Sequence, residues 1–160
     1  MKKLLLVLVA VIGLTFAANA QNIGARVKVS ADVLNPAATF SNYGVEFSYQ
    51  HYLGSNRIEL DAGYSNGQYI NGAAAYHWTF PIAGEFGWFI GPCVNVGYCI
   101  NHKLGLAVGA QGGAEWNPSN LPLQFSVDAR PLYDFILDEN CAYKGFGVGV
   151  GVGVRYKLNH

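Results

Sequence analysis

From Phe146 to Leu158 the chain reads FGVGVGVGVRYKL. Phe146, Val148, Val150, Val152, Val154, Tyr156 and Leu158 fall on one side, and Gly147, Gly149, Gly151, Gly153, Arg155 and Lys157 on the other. A β-strand sends successive side chains to opposite faces, so this long two-residue period predicts a strand with one bulky apolar face. The alternation recurs upstream. Ile23, Ala25, Val27 and Val29 alternate with Gly24, Arg26, Lys28 and Ser30, and Ile58, Leu60, Ala62 and Tyr64 with Arg57, Glu59, Asp61 and Gly63. Segments 43–50, 104–111 and 121–130 follow the same rule, while 70–80 and 88–98 are weaker because small residues blur the phase. Turn signals at Gly54-Ser55-Asn56, Ser65-Asn66-Gly67 and Asn117-Pro118-Ser119-Asn120, with longer links near 31–42 and 131–143, separate eight strands. No helical period or domain boundary interrupts them, which predicts a single antiparallel all-β unit.

The alternation does not by itself say which face is interior. The polar face collects Arg26, Lys28, Arg57, Arg130, Arg155 and Lys157 against Glu46, Glu59, Asp61, Glu115 and Asp128, interspersed with Gly, Ala, Ser and Gln. Glycine beside long charged side chains suits a narrow interior, where small residues leave room for arginine and glutamate to meet. Charges taken out of water must be paired. On the other face Tyr43, Tyr64, Trp78, Phe80, Trp88, Tyr98, Trp116, Phe146 and Tyr156 sit near strand ends, as aromatic side chains do at a membrane–water boundary. Strands of about 9–11 residues match a tilted crossing of the hydrocarbon layer. A sheet in lipid must also close, because an open edge leaves backbone groups unpaired. The expectation is a closed antiparallel eight-stranded up-and-down transmembrane β-barrel with the charges inside. A secreted soluble barrel or sandwich of lipocalin type is the rival. It requires the charges outside, where glycine would not be their regular neighbour.

Composition strengthens this choice. Only 12% of the 160 residues are charged although 51% are hydrophobic, against about 25% charged in ordinary soluble domains. Residues 1–20 read differently from the rest: Lys2 and Lys3 precede an apolar stretch from Leu4 to Phe16, and Ala18-Asn19-Ala20 precede Gln21. That layout is a secretory signal peptide cleaved before residue 21, and its apolar stretch is too short for a membrane-anchoring helix. No cysteine follows the small residues, which argues against a lipid anchor. The barrel domain is then 21–160. Two of the ten basic residues lie in the leader, leaving 8 against 10 acidic and a net charge of −2. A nucleic-acid partner is not expected from that balance.

The leader, the eight-strand spacing and the closing VGVRYKL resemble the small eight-stranded outer-membrane barrels of Gram-negative bacteria, of OmpA- and OmpX-like type. Phe89-Ile90-Gly91-Pro92 and the segment LPLQFSVDARPLYDF (121–135) look like the porin-like barrels of Bacteroides-type bacteria. The resemblance implies outer-membrane lipid as surroundings and insertion by the barrel-assembly machinery, with Tyr156 and Leu158 in the recognised last strand. Asn159-His160 extend past the usual final aromatic. It also implies that 31–42, 65–68, 99–103 and 131–145 face outward, and that the turns near 53–56, 80–86 and 116–120 face the periplasm.

Candidate chemistry is sparse. Cys99 and Cys141 both fall at or beside outward loops, where they could bond and leave Cys93 single, since an exported chain meets an oxidising compartment. The alternative is that all three cysteines are small, buried or unpaired residues. His51, His77, His102 and His160 have no close metal-ligand spacing, so neither metal nor cofactor is expected. Ser126, His77 and Asp128 share the polar face, but nothing in the sequence assembles them into a catalytic set. The Gly149-x-Gly151-x-Gly153 run lies in a strand without a following helix and is not a phosphate loop. The expected role is therefore structural or surface-interacting, not enzymatic, with a closed, charge-paired lumen. A small-solute or ion pore, a lipid-modifying enzyme and a soluble ligand-binding barrel are the alternatives.

Overall fold

The computed structural model describes residues 22–32, 42–65, 69–99, 103–134 and 145–158. They form eight strands: β1 (Asn22–Asp32), β2 (Asn42–Leu53), β3 (Asn56–Ser65), β4 (Tyr69–Ala83), β5 (Phe86–Cys99), β6 (Lys103–Trp116), β7 (Leu123–Asp134) and β8 (Phe146–Lys157). Each pairs antiparallel with the next, and β1 pairs with β8 from Asn22–Lys157 to Asp32–Gly147, closing the barrel. Among the described residues no edge strand remains, so every strand has a hydrogen-bonding neighbour on both sides.

Two of the connections are two-residue hairpin turns. Gly54 and Gly84 take φ of 67° and 56°, a conformation glycine adopts without the Cβ clash that hairpin turns impose on other residues. These turns lie at the same end of the barrel as Asn22, Lys157 and the β6–β7 link. The strands outrun the alternation in one place. β4 continues through Pro81-Ile82-Ala83, so the turn expected over 80–86 narrows to Gly84-Glu85. A register shift between Pro81 and Ala83 accommodates an apolar run that does not alternate.

The barrel inverts the usual distribution of polarity. Outside, Val27, Val45, Phe47, Ile70, Ile90, Leu104, Val127, Val152 and Val154 are exposed, as are all nine aromatic residues expected at the strand ends. Inside, Arg26, Arg57, Arg155, Glu46 and Glu59 are fully buried. Among the described residues the buried apolar set is small: Ala73, Ala75 and Cys93 cluster on the β4–β5 wall with Leu132 packed against them, and Tyr49, Phe89 and Ala107 are buried besides. Glycine makes room for the charges. A Cβ at Gly151 would collide with the Arg26 guanidinium, so β8 alternates valine outward with glycine where that guanidinium passes. Gly91 is required for a different reason, because a Cβ there would run into the carbonyl oxygen of Tyr76 on the neighbouring strand.

Candidate functional site: the charge-filled lumen

Two glutamates organise the interior. Glu46, on β2, accepts from Arg26 Nη1 at 2.6 Å, Lys28 Nζ at 2.6 Å, Asn71 Nδ2 at 2.7 Å and Arg130 Nη1 at 3.3 Å. Glu59, on β3, accepts from Gln111 Nε2 at 3.0 Å, Arg155 Nη2 at 3.1 Å, Arg130 Nη2 at 3.3 Å and Gln50 Nε2. Four donors approach each carboxylate, filling the roughly four acceptor positions such a group offers. Arg130 reaches across from β7 to both glutamates and also bonds Asp61, so one guanidinium ties β7 to β2 and β3. Arg26 holds Asp128 through two nitrogens in the forked geometry a planar guanidinium offers a carboxylate. Arg155 also donates to Ser48 Oγ at 2.9 Å and Ser126 Oγ at 2.6 Å.

A further cluster lies nearer the short-turn end. Arg57 Nη1 donates to Glu115 and to Tyr52 Oη, and its Nε donates to His77 Nδ1 at 3.2 Å. The guanidinium stands over the Phe89 ring, 4.4 Å from its centroid, with His77 tilted against the same ring at 4.6 Å. Gln124 Nε2 bridges Tyr52 Oη and Glu115, while Asn22 Nδ2 joins Gln50 to Gln124.

Of the eleven charged residues singled out from the sequence, Arg26, Lys28, Arg57, Arg130 and Arg155 meet Glu46, Glu59, Asp61, Glu115 and Asp128 in one connected interior. Among the described residues, five cations there face five carboxylates. Lys157 is placed differently: its Nζ donates to the Pro118 carbonyl at 3.0 Å, at the short-turn mouth. Strand phase alone assigns it to the paired interior, but it is the last residue of β8 and its reach ends on the turn.

The interior residues that charge patterning misses are mostly neutral. Gln50, Gln111, Gln124 and Asn71 donate within the network and Ser48 accepts from Arg155; the first three are detectable as polar positions in phase with Glu46, Glu115 and Asp128. Phe89 has no such signal, because Trp88-Phe89-Ile90 is uniformly apolar. Ser126, His77 and Asp128 have separate partners in Arg155, Arg57 and Arg26, and are not assembled as a triad. Cys93 is a free buried thiol; the Cys99–Cys141 pairing, like the signal peptide, His102 and His160, lies outside the described residues.

The fold has solved counterparts. The crystal structure of Neisserial surface protein A superposes with a TM-score of 0.65 at 13% identity, covering 86% of this chain and 96% of that one. A de novo designed transmembrane β-barrel superposes at 0.54 with 14% identity, covering 87% and 97%. At such identities the likeness is one of fold, and the fold is the closed eight-stranded antiparallel transmembrane barrel. No family model and no curated protein matches the chain.

Proposed function

We propose that this chain is an exported integral outer-membrane barrel, trimmed of residues 1–20, with a sealed lumen and a structural or surface-interaction role. The observation that carries the reading is the inverted polarity: an outer surface of exposed valine, phenylalanine, tyrosine and tryptophan around an interior of paired ions. An apolar surface this continuous is costly in water and suits lipid. An eight-stranded interior is just wide enough for side chains to fill, and here Arg130 and Arg155 cross it from β7 and β8 to β3. The narrower kinship with porin-like barrels of Bacteroides-type bacteria rests on segments 89–92 and 121–135, and barrel-assembly machinery would insert the chain. Balanced interior charge offers no selectivity for a solute of either sign.

Reconstitution into a planar bilayer tests the sealed lumen. The expected result is insertion without steady conductance, and large, stable single-channel currents would overturn it.

A further inference from the structure

The link between β6 and β7 does more than reverse the chain. Pro118 is among the largest fully buried side chains although it lies outside any strand. Lys157, reaching in from the lumen face of β8, donates to the Pro118 carbonyl at 3.0 Å, and its backbone N–H donates to Pro122 at 2.8 Å. Asn117 Nδ2 donates to Glu115 Oε1 at 3.1 Å, tying the link to the Arg57 cluster. These contacts draw residues 117–122 over the short-turn mouth.

A second anchor comes from the β4–β5 turn. Glu85 Oε1 accepts from the backbone N–H and the hydroxyl of Ser119, each at 2.6 Å, and Oε2 accepts from Trp116 Nε1 at 3.1 Å. Its backbone carbonyl accepts from the Asn117 N–H at 2.8 Å. Three of these four bonds end on the carboxylate, and charge-assisted bonds are about twice as strong as neutral ones.

We propose that residues 117–122 form a releasable strap over the lumen mouth, latched by Glu85. Neutralising this carboxylate loosens the strap over Pro118 and admits water to the cluster of Tyr52, Arg57, Glu115 and Gln124. The opened mouth leads no further, because the Arg130 contacts to Glu46, Glu59 and Asp61 lie beyond it; this part rests on the sealed-lumen reading above. The groups that face Glu85 are Ser119 and Asn117 of the strap, Trp116 of β6 and the Lys157 ammonium of β8. Hydrogen bonds from the Ser119 hydroxyl, its amide and the Trp116 indole hold the carboxyl below its ordinary 4.5, and Lys157 acts in the same direction. A carboxyl lowered by folding stabilises the latched form above that ordinary value, and this contribution is lost as pH falls through the lowered one. The strap is therefore latched at neutral pH and released by acid.

The test places a thiol under the strap. In the folded full-length barrel, Pro118→Cys should label slowly with a bulky impermeant maleimide, the label being located by peptide mass. Adding Glu85→Gln should speed labelling by about tenfold or more, as expected when charge-assisted bonds are lost, and Glu85→Asp should restore much of the slow rate. Equal slow rates with and without Glu85→Gln overturn the latch. Should Pro118→Cys unseat the strap by itself, the Ser119 amide decides. Its hydrogen exchange, corrected for intrinsic rate, should be protected in the unmodified chain at neutral pH and lose protection in acid and in Glu85→Gln. Equal protection in both chains, or none in the unmodified one, overturns the proposal. Bilayer conductance should stay absent throughout, so a failed latch leaves the sealed lumen standing. Currents through the unmodified chain would remove the sealed lumen without deciding the latch.

Discussion

Glu46 and Glu59 each gather four donors from several strands, so their charge is shared by most of the barrel wall. Removing one partner of a buried ionic network leaves the others desolvated and unpaired, at a cost of about 3–5 kcal/mol. Glu46→Gln and Glu59→Gln keep the shape, lose the charge and turn an acceptor into a donor facing arginine. Each should lower the unfolding free energy of the folded barrel, read from urea denaturation, by an amount in that range, whereas Glu85→Gln should leave it unchanged. Gly151 supports the same network by absence. Gly151→Ala places a methyl group against the Arg26 guanidinium, which must then move off Asp128 or Glu46. The same unfolding measurement should show a loss of about 1–3 kcal/mol, the usual cost of overfilling a packed interior.

At the scale of the strand, the valine–glycine alternation of β8 is readable from the sequence because its two faces differ both in size and in polarity. Val152 pairs with Val27 and Val127 at the middle of the strand, and it is exposed on the outer face. Val152→Arg should cost about 2–4 kcal/mol in unfolding from lipid, the value for a cation at the midplane of a barrel's lipid face. In a soluble barrel the same exposed position would tolerate arginine within about 0.5 kcal/mol. β4 and β5 are harder to read. Trp88-Phe89-Ile90 carries no two-residue contrast, so only the three-dimensional neighbours place Phe89 inside, beneath Arg57 and against His77. The end of β4 is hidden for a related reason: backbone pairing continues through Pro81-Ile82-Ala83 after the alternation has stopped. The charged lumen residues are legible as a set because strand phase assigns a face. Their pairings are not, since the bond from Arg130 to Asp61 spans 69 residues of sequence and depends on where the sheet closes.

For the molecule as a whole, the folded chain places its ions where soluble proteins keep their hydrocarbon, and its hydrocarbon where they keep their ions. Closure of β1 on β8 gives every strand a hydrogen-bonding neighbour on both sides, and among the described residues five interior cations meet five carboxylates. The fold is legible in the sequence; a particular task is not, because no pattern of residues converges on a ligand or a reacting atom. Membrane fractionation combined with gel mobility before and after heating tests the central claim most directly. The protein should be recovered with the outer membrane and should migrate differently in detergent before and after boiling, as a closed barrel resists detergent until heated. Recovery in the soluble fraction, with a single mobility regardless of heating, would contradict the account.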